Sequence, residues 1–467
     1  MYRQEETSVT VSIRDLLLQG AEYADQWVAY RRELRDIPGI TVAIRYRDDL
    51  LLSCGYGLAN IEQQVPMTPQ HIFRVASHSK TFTATAILQL WEQGKLRLDD
   101  GLGQFIPWLA SQPIGKVTVR QVLNHSGGII RDGLDADHWQ LDKPFPDEAE
   151  LRHIVEHGGV VLDANERFKY SNVGYSLLGL VIEQLSGTSY HDYVRHNIVE
   201  RLGLADSGPE TDAAVRERMA TGYTAPRLGV ARMPIPDIST GSMAAATGFY
   251  STADDLSRYA LAHCRGNNVL LTDAAKREMQ QPYWAVEDAD QHYGLGLSVT
   301  DIGDRRVVGH GGGFPGHATA TMVDPKEGLA VIVLTNQTRG PAGAIATCIV
   351  KILNFALTST TQADEHAGSA LASFTGRYMN MWGVTDIVRF GEALVELDPD
   401  ADDPVLHPAR LTIEDGDTLR IATAGGYASP GEQIRYVRDS AGSITRIIDG
   451  GVSYYPPEDY RRRVATT

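Results

Sequence analysis

Cysteine is scarce in this chain. Three occur in 467 residues, Cys54, Cys264 and Cys348, far apart and odd in number. They build neither a disulfide framework nor a CxxC metal site, which leaves isolated thiols. Long apolar runs are missing as well, none approaching the roughly 18 residues of a membrane-spanning helix. The opening MYRQEETSVTVSIRDLLLQ lacks the basic start and apolar stretch of a secretory leader, so a cytoplasmic protein is expected. Basic residues are in deficit: 43 Lys and Arg face 59 Asp and Glu, for a net charge of −16. Such a surface repels phosphate backbones, so nucleic acid is not an expected partner, nor is a membrane. What is present, 43% hydrophobic and 22% charged residues, is ordinary globular composition and excludes disorder, collagen and coiled coil. At roughly 150 residues per domain the length allows two to four domains.

Apolar residues from Leu16 to Leu34 recur at helical spacing and predict an amphipathic helix over 13–34. After Pro38-Gly39, strand-like runs at 40–46 and 50–57 form a hairpin. The middle, about 70 to 285, reads as mostly helical, with helices at 82–93, 173–185 ending at Gly187, and 191–201. Strands return at 294–300, 305–309, 318–323 and 329–335, and a helix over 343–357 closes the unit. Sheet elements at both ends of a helical middle imply one sheet assembled from both ends of the domain. The polar stretch 358–371 reads as a linker. Beyond it, 372–467 shows short strands between turns, the pattern of a small β-barrel or sandwich.

Four motifs could carry chemistry. Ser77-His78-Ser79-Lys80 is an S-x-x-K that opens the helix 77–93. Residues three apart share a helix face, so the Lys80 amine can sit beside the Ser77 hydroxyl and accept its proton if its pKa is lowered. Taken alone, the motif reads first as a serine cap followed by a solvated lysine, since a bare S-x-x-K occurs often by chance. Tyr170-Ser171-Asn172 leads into the helix at 173. A tyrosine hydroxyl near a lysine can relay protons, and an asparagine can hold a substrate amide. Taken alone, this is a loop tyrosine and an Asn cap. His310-Gly311-Gly312-Gly313 ends a late strand, where glycines permit close approach of a substrate backbone. Its plain alternative is a glycine-rich turn. His153-Ile154-Val155-Glu156-His157 matches a zinc pattern, H-x-x-E-H, but Gly158-Gly159 follows at once and weakens the helix it needs.

The order S-x-x-K, Y-x-N, H-x-G resembles the penicillin-recognising serine hydrolases, whose related enzymes carry S-x-x-K, S-D-N and K-T-G. With Y-x-N in place of S-D-N, the chain is similar to the class C β-lactamase and D-peptidase branch. Supporting phrases agree in order: Gly55-Tyr56-Gly57, Leu98-Asp99-Asp100, Val122–Gly128, Gly248–Leu256 and Tyr293–Gly296. The resemblance spans about 35 to 357. His310-Gly311-Gly312 departs from the K-T-G of the β-lactamases and resembles D-aminopeptidases, D-amino-acid amidases, carboxylesterases and some acyltransferases. Phe374–Tyr378 looks like the opening strand of the lipocalin-like barrel that some members append.

The resemblance implies an α/β (α+β) fold of the β-lactamase/transpeptidase kind: an antiparallel sheet flanked by helices, an all-helical region, and an appended antiparallel barrel. The implied domains are 1–357 catalytic, 358–371 linker and 372–467 barrel. The implied enzyme is a serine hydrolase that cleaves an amide or ester of a small molecule or peptide through an acyl-Ser77 intermediate, with no cofactor and no metal. Ser77 would attack, and Lys80 and Tyr170 would share the proton. Backbone N–H groups of Ser77 and Gly313 would form the oxyanion hole. Asn172 would hold the substrate amide. His310, Gly311 and Gly312 would line the cleft, with His310 orienting Tyr170 or a substrate carboxylate. An amine acceptor in place of water would make the enzyme a transacylase or peptide macrocyclase. A sensor that stays acylated is a third reading.

Overall fold

A computed structural model describes residues 11–359, 371–425 and 429–465. The N-terminal residues 1–10 and most of the expected linker, 360–370, lie outside the described residues. The chain divides into two compact units, Arg35–Thr347, and Met1–Leu34 together with Cys348–Thr467.

In the unit Arg35–Thr347 a nine-stranded antiparallel sheet is assembled from both ends of the segment. The hairpin Gly39–Tyr46 and Asp49–Asn60 follows the sequence expectation. Its first strand pairs with Leu329–Thr335, Ile40 opposite Thr335 and Tyr46 opposite Leu329. The sheet continues through His317–Asp324, Arg305–Phe314, Ser298–Ile302, Gln291–Tyr293 and Trp284–Val286. Leu329–Thr335 is buried on both faces, which is why it reads as an unbroken apolar run. The expected strand 294–300 is interrupted because Gly296 takes a left-handed φ of 82°. A Cβ there would lie 2.3 Å from the Ala84 side chain.

The helical middle packs around Ser79–Glu92, of whose 14 residues 12 are buried, and Asn172–Ser186. The apolar face of the latter ends where Gly187 turns left-handed, as the sequence indicates. The expected helix 191–201 is instead a short α-helix, Tyr190–Val194, that widens to a π-turn and tightens to a 3₁₀ turn before Gly203. Two short strands, Phe73–Ala76 and Phe249–Ser251, pair inside this region and deliver the chain to Ser77.

In the other unit, eight antiparallel strands run in chain order from Gly376–Met379 to Val452–Tyr454. Met379 and Tyr455 exchange backbone hydrogen bonds of 2.8 and 2.9 Å, so the sheet curls until its first and last strands meet. This is the expected barrel, with two strands, Ala393–Leu397 and Val452–Tyr454, and a last helix, Pro457–Ala465, that sequence reading did not isolate. Ile387, Leu394, Leu419, Ile434 and Ile447 form its core. Alternation places Glu396 on the face of Leu394 and Asp449 on the face of Ile447. Burial and the neighbouring Asp449 raise the Glu396 carboxyl to about 7, and Asp449 is raised as well. A carboxyl with a raised native pKa binds more protons folded than unfolded, so its stabilisation is present at low pH and lost as pH climbs from the ordinary carboxyl range toward about 7. Glu396→Gln is therefore expected to raise the melting temperature at pH 8 by several degrees, about 4–8 °C per kcal/mol, and to change it little at pH 4.5. Calorimetry at both pH values checks this. An equal shift at both would mean that the two carboxyls do not repel one another in the folded barrel.

Candidate active site

The chain reaches Ser77 through the buried strand Phe73–Ala76. Ala76 is in the left-handed region, φ 49°, a conformation that costs a non-glycine residue energy. The expectation that Ser77 opens the helix needs correction. The first helical residue is Ser79, and Ser77 stands in the turn before it. That turn is closed by Lys80 N–H donating to the Ser77 carbonyl at 3.0 Å. Ser77 is thereby partly exposed while Ser79 and Lys80 are buried. Ser79 is not an alternative nucleophile. Its hydroxyl donates to the Ala76 carbonyl at 2.6 Å and accepts from Phe249 N–H at 2.9 Å.

Lys80 Nζ is 2.7 Å from Asn172 Oδ1, 2.8 Å from the Ala246 carbonyl and 3.2 Å from Ser77 Oγ. The first two partners only accept. A neutral amine has two hydrogens for them and one lone pair for a third partner, the serine hydroxyl. Burial lowers the Lys80 pKa well below that of a free lysine. Asp132 opposes the shift and Arg131 adds to it. Asp132 also accepts from Asn172 Nδ2 at 2.6 Å, which fixes the amide so that its oxygen faces Lys80. Asn172 therefore uses both ends of its side chain inside the protein.

Tyr170 comes from the loop ahead of helix Asn172–Ser186, whose start is set by the Ser171 side chain accepting from Gly174 N–H at 2.9 Å. Burial raises the Tyr170 pKa, and Ser77 and Arg131 beside it oppose the shift. Lys80 Nζ lies 4.7 Å from the centre of the Tyr170 ring, and the Arg131 guanidinium 5.1 Å from it. Arg131 is tied to Asp132 at 3.2 Å.

His310 does not bond to Tyr170. Its Nδ1 is 2.5 Å from the Gly311 carbonyl and its Nε2 2.9 Å from the Tyr293 hydroxyl. The carbonyl can only accept, so Nδ1 carries the proton and Nε2 accepts from tyrosine. Burial, with Lys80 and His78 nearby, lowers the His310 pKa to about 3, so the ring is uncharged at neutral pH. Gly312 packs on the segment before the serine, where a Cβ would meet the Val75 carbonyl at 2.2 Å. Gly311 and Gly313 face outward. The strand Arg305–Phe314 pairs on one side with His317–Asp324 as far as Phe314. On the other side, pairing with Ser298–Ile302 stops at Gly309. Residues 310–314 thus present an edge without a strand partner among the described residues, able to pair with an extended substrate backbone.

Sequence reading placed Ser77, Lys80, Tyr170, Asn172 and His310 in one site, and they meet there. It missed the Ala246 carbonyl, Asp132, Tyr293 and His125. Of these, Tyr293 and His125 lie in phrases read as structural support. The H-x-x-E-H motif is not assembled as a zinc site. His157 Nδ1 bonds to the His153 carbonyl at 2.9 Å, and Glu156 pairs with Arg152 at 2.8 Å. Among the described residues no group of three metal-binding side chains occurs, and no helix is long and apolar enough to cross a membrane.

A family profile described as Beta-lactamase matches residues 24–349. Penicillin-binding protein 4 of Amycolatopsis lactamdurans is 27% identical over 332 residues, covering 68% of this chain and 85% of that protein. The octameric penicillin-binding protein homologue from Pyrococcus abyssi superposes with a TM-score of 0.65 at 24% identity, covering 93% of this chain and 99% of that one. The D-amino acid amidase from Ochrobactrum anthropi SV3 gives a TM-score of 0.61 at 23% identity, over 73% and 99% of the two chains.

Proposed function

The chain belongs to the beta-lactamase family, and from that premise we propose that it is a serine hydrolase cleaving amides or esters through an acyl-Ser77 intermediate. One observation carries the reading: the buried Lys80 amine hydrogen-bonds to the partly exposed Ser77 and lies 4.7 Å from the centre of the Tyr170 ring. Ser77 Oγ attacks the carbonyl carbon as its proton passes to Lys80 Nζ. The oxyanion is held by the N–H groups of Ser77 and Gly313. The opposite displacements of the two pKa values, lysine down and tyrosine up, support the division of labour. Lys80 takes the serine proton, and Tyr170 protonates the leaving nitrogen or oxygen as its bond to carbon breaks, then regains a proton from Lys80. Water attacks the acyl-enzyme by the reverse route and releases the acid.

The substrate carries no carboxylate near the scissile bond that needs a cation at His310. His310 is neutral and bonded to Tyr293 and Gly311, so it offers no cation to the carboxylate of a β-lactam. Amides and esters of amino acids, extended along the 310–314 edge, fit better. A panel of D- and L-aminoacyl amides, p-nitrophenyl esters and nitrocefin tests this. Esters or amides are expected to turn over at least about a hundredfold faster in kcat/KM than nitrocefin, a difference of about 2.7 kcal/mol. Rapid nitrocefin turnover by the unaltered protein would contradict the role given to His310.

A further inference from the structure

Tyr170 lies in a stretch without regular structure, yet the proposed chemistry needs its hydroxyl held on Ser77. The two peptide N–H groups that flank it end on one residue. Lys169 N–H donates to the His125 carbonyl at 2.7 Å, and Ser171 N–H donates to His125 Nδ1 at 3.2 Å. The His125 ring lies against the Tyr170 ring, centroids 4.2 Å apart. His125 itself is 2% exposed and takes a left-handed φ of 61°, unusual for a residue with a Cβ. That backbone turns both its carbonyl and its ring toward the same segment. Because Nδ1 accepts, the ring proton is on Nε2, a buried atom with no hydrogen-bond partner among the described residues. A buried donor left unpaired is a cost, and a phenyl ring in this place would avoid it. What the histidine offers in return is the acceptor Nδ1.

We infer that His125 is a positioning residue which clamps the backbone on both sides of Tyr170 and so holds the tyrosine hydroxyl at Ser77. Burial keeps the ring neutral, so the acceptor stays available. The inference rests on the proposed acyl transfer at Ser77.

The test separates ring from acceptor. His125→Phe keeps an aromatic ring but cannot accept from Ser171. His125→Asn carries an acceptor oxygen at similar reach and tolerates the left-handed backbone. On an aminoacyl p-nitrophenyl ester, His125→Phe is expected to lower kcat about 10–100-fold, the scale of a misplaced catalytic group, with KM within about twofold. His125→Asn is expected to recover most of the loss. Equal activity of His125→Phe and the unaltered protein would overturn the clamp. So would Asn and Phe variants impaired alike. If the phenyl variant does not fold, His125→Ala takes its place: an Asn variant more active than the Ala variant supports the clamp, and equal impairment overturns it. Ser77→Ala runs beside them: if it still turns over, the site reading fails, whatever the His125 variants do.

Discussion

Ser77→Ala should be devoid of activity toward every ester and amide that the unaltered protein cleaves. The expected loss is about 10⁴–10⁶-fold, the range found when a nucleophile is removed from a serine hydrolase. The reason is local. Ser77 is the partly exposed hydroxyl between Lys80 and Tyr170, whereas the Ser79 hydroxyl is buried with its donor and acceptor both engaged. Folding should be untouched, since the Ser77 side chain supports no other element. Circular dichroism and the melting temperature are the controls. Activity within tenfold of normal would mean that another group attacks the carbonyl.

The second large effect is non-additivity. Lys80→Ala and Tyr170→Phe are each expected to lower the acylation rate about 10³-fold, and the double variant about as much as either alone. The two side chains are successive links of one proton relay, from Ser77 to Lys80 to Tyr170 to the leaving group, so a relay already broken at one link is not broken again at the other. The pH profile separates their roles. If neutral Lys80 is the base, kcat/KM falls on the acid side as the amine becomes protonated. Burial lowers the Lys80 pKa well below 10.5, so full activity extends to a lower pH than a solvent-exposed lysine would allow. Tyr170→Phe should retain that acid limb, and Lys80→Ala should lose it. Multiplicative losses in the double variant would show that no proton passes between the two side chains and would contradict the relay. Truncating Lys80 also strands the Asn172 oxygen and the Ala246 carbonyl, both within 2.8 Å of Nζ. Lys80→Met, which fills the volume, distinguishes lost chemistry from lost packing.

Much of this arrangement is legible in the chain, because its signals are local. Helix Ile13–Leu34 follows from one apolar stripe, and Gly187 marks a helix end through its left-handed φ. The S-x-x-K and Y-x-N spacings bring the lysine and tyrosine to the serine whether or not the serine is helical. Indeed, Ser77 lies outside the helix and still meets Lys80 at 3.2 Å. What stayed hidden depends on long-range placement. The Ala246 carbonyl is a backbone atom from a segment far along the chain, with no side-chain signature. Asp132 matters because it fixes the Asn172 amide across 40 residues. His310 looks in sequence like a partner for Tyr170. Its direction is decided by the sheet register, which sets it beside Tyr293 instead. Its uncharged state follows from burial, which no motif records. In the barrel, the strands Ala393–Leu397 and Val452–Tyr454 were missed because each is short, with little alternation to read.

The central claim is a covalent acyl group on Ser77, and trapping it is the most direct test. The full chain is treated with a fluorophosphonate and, separately, with an aminoacyl ester quenched in acid during turnover. Intact mass and peptide sequencing by mass spectrometry then locate the adduct. The account predicts one equivalent per chain, on Ser77, absent from Ser77→Ala and formed far more slowly in Lys80→Ala. An adduct on Ser79 or elsewhere, or turnover of the ester with no covalent species at any quench time, would contradict it.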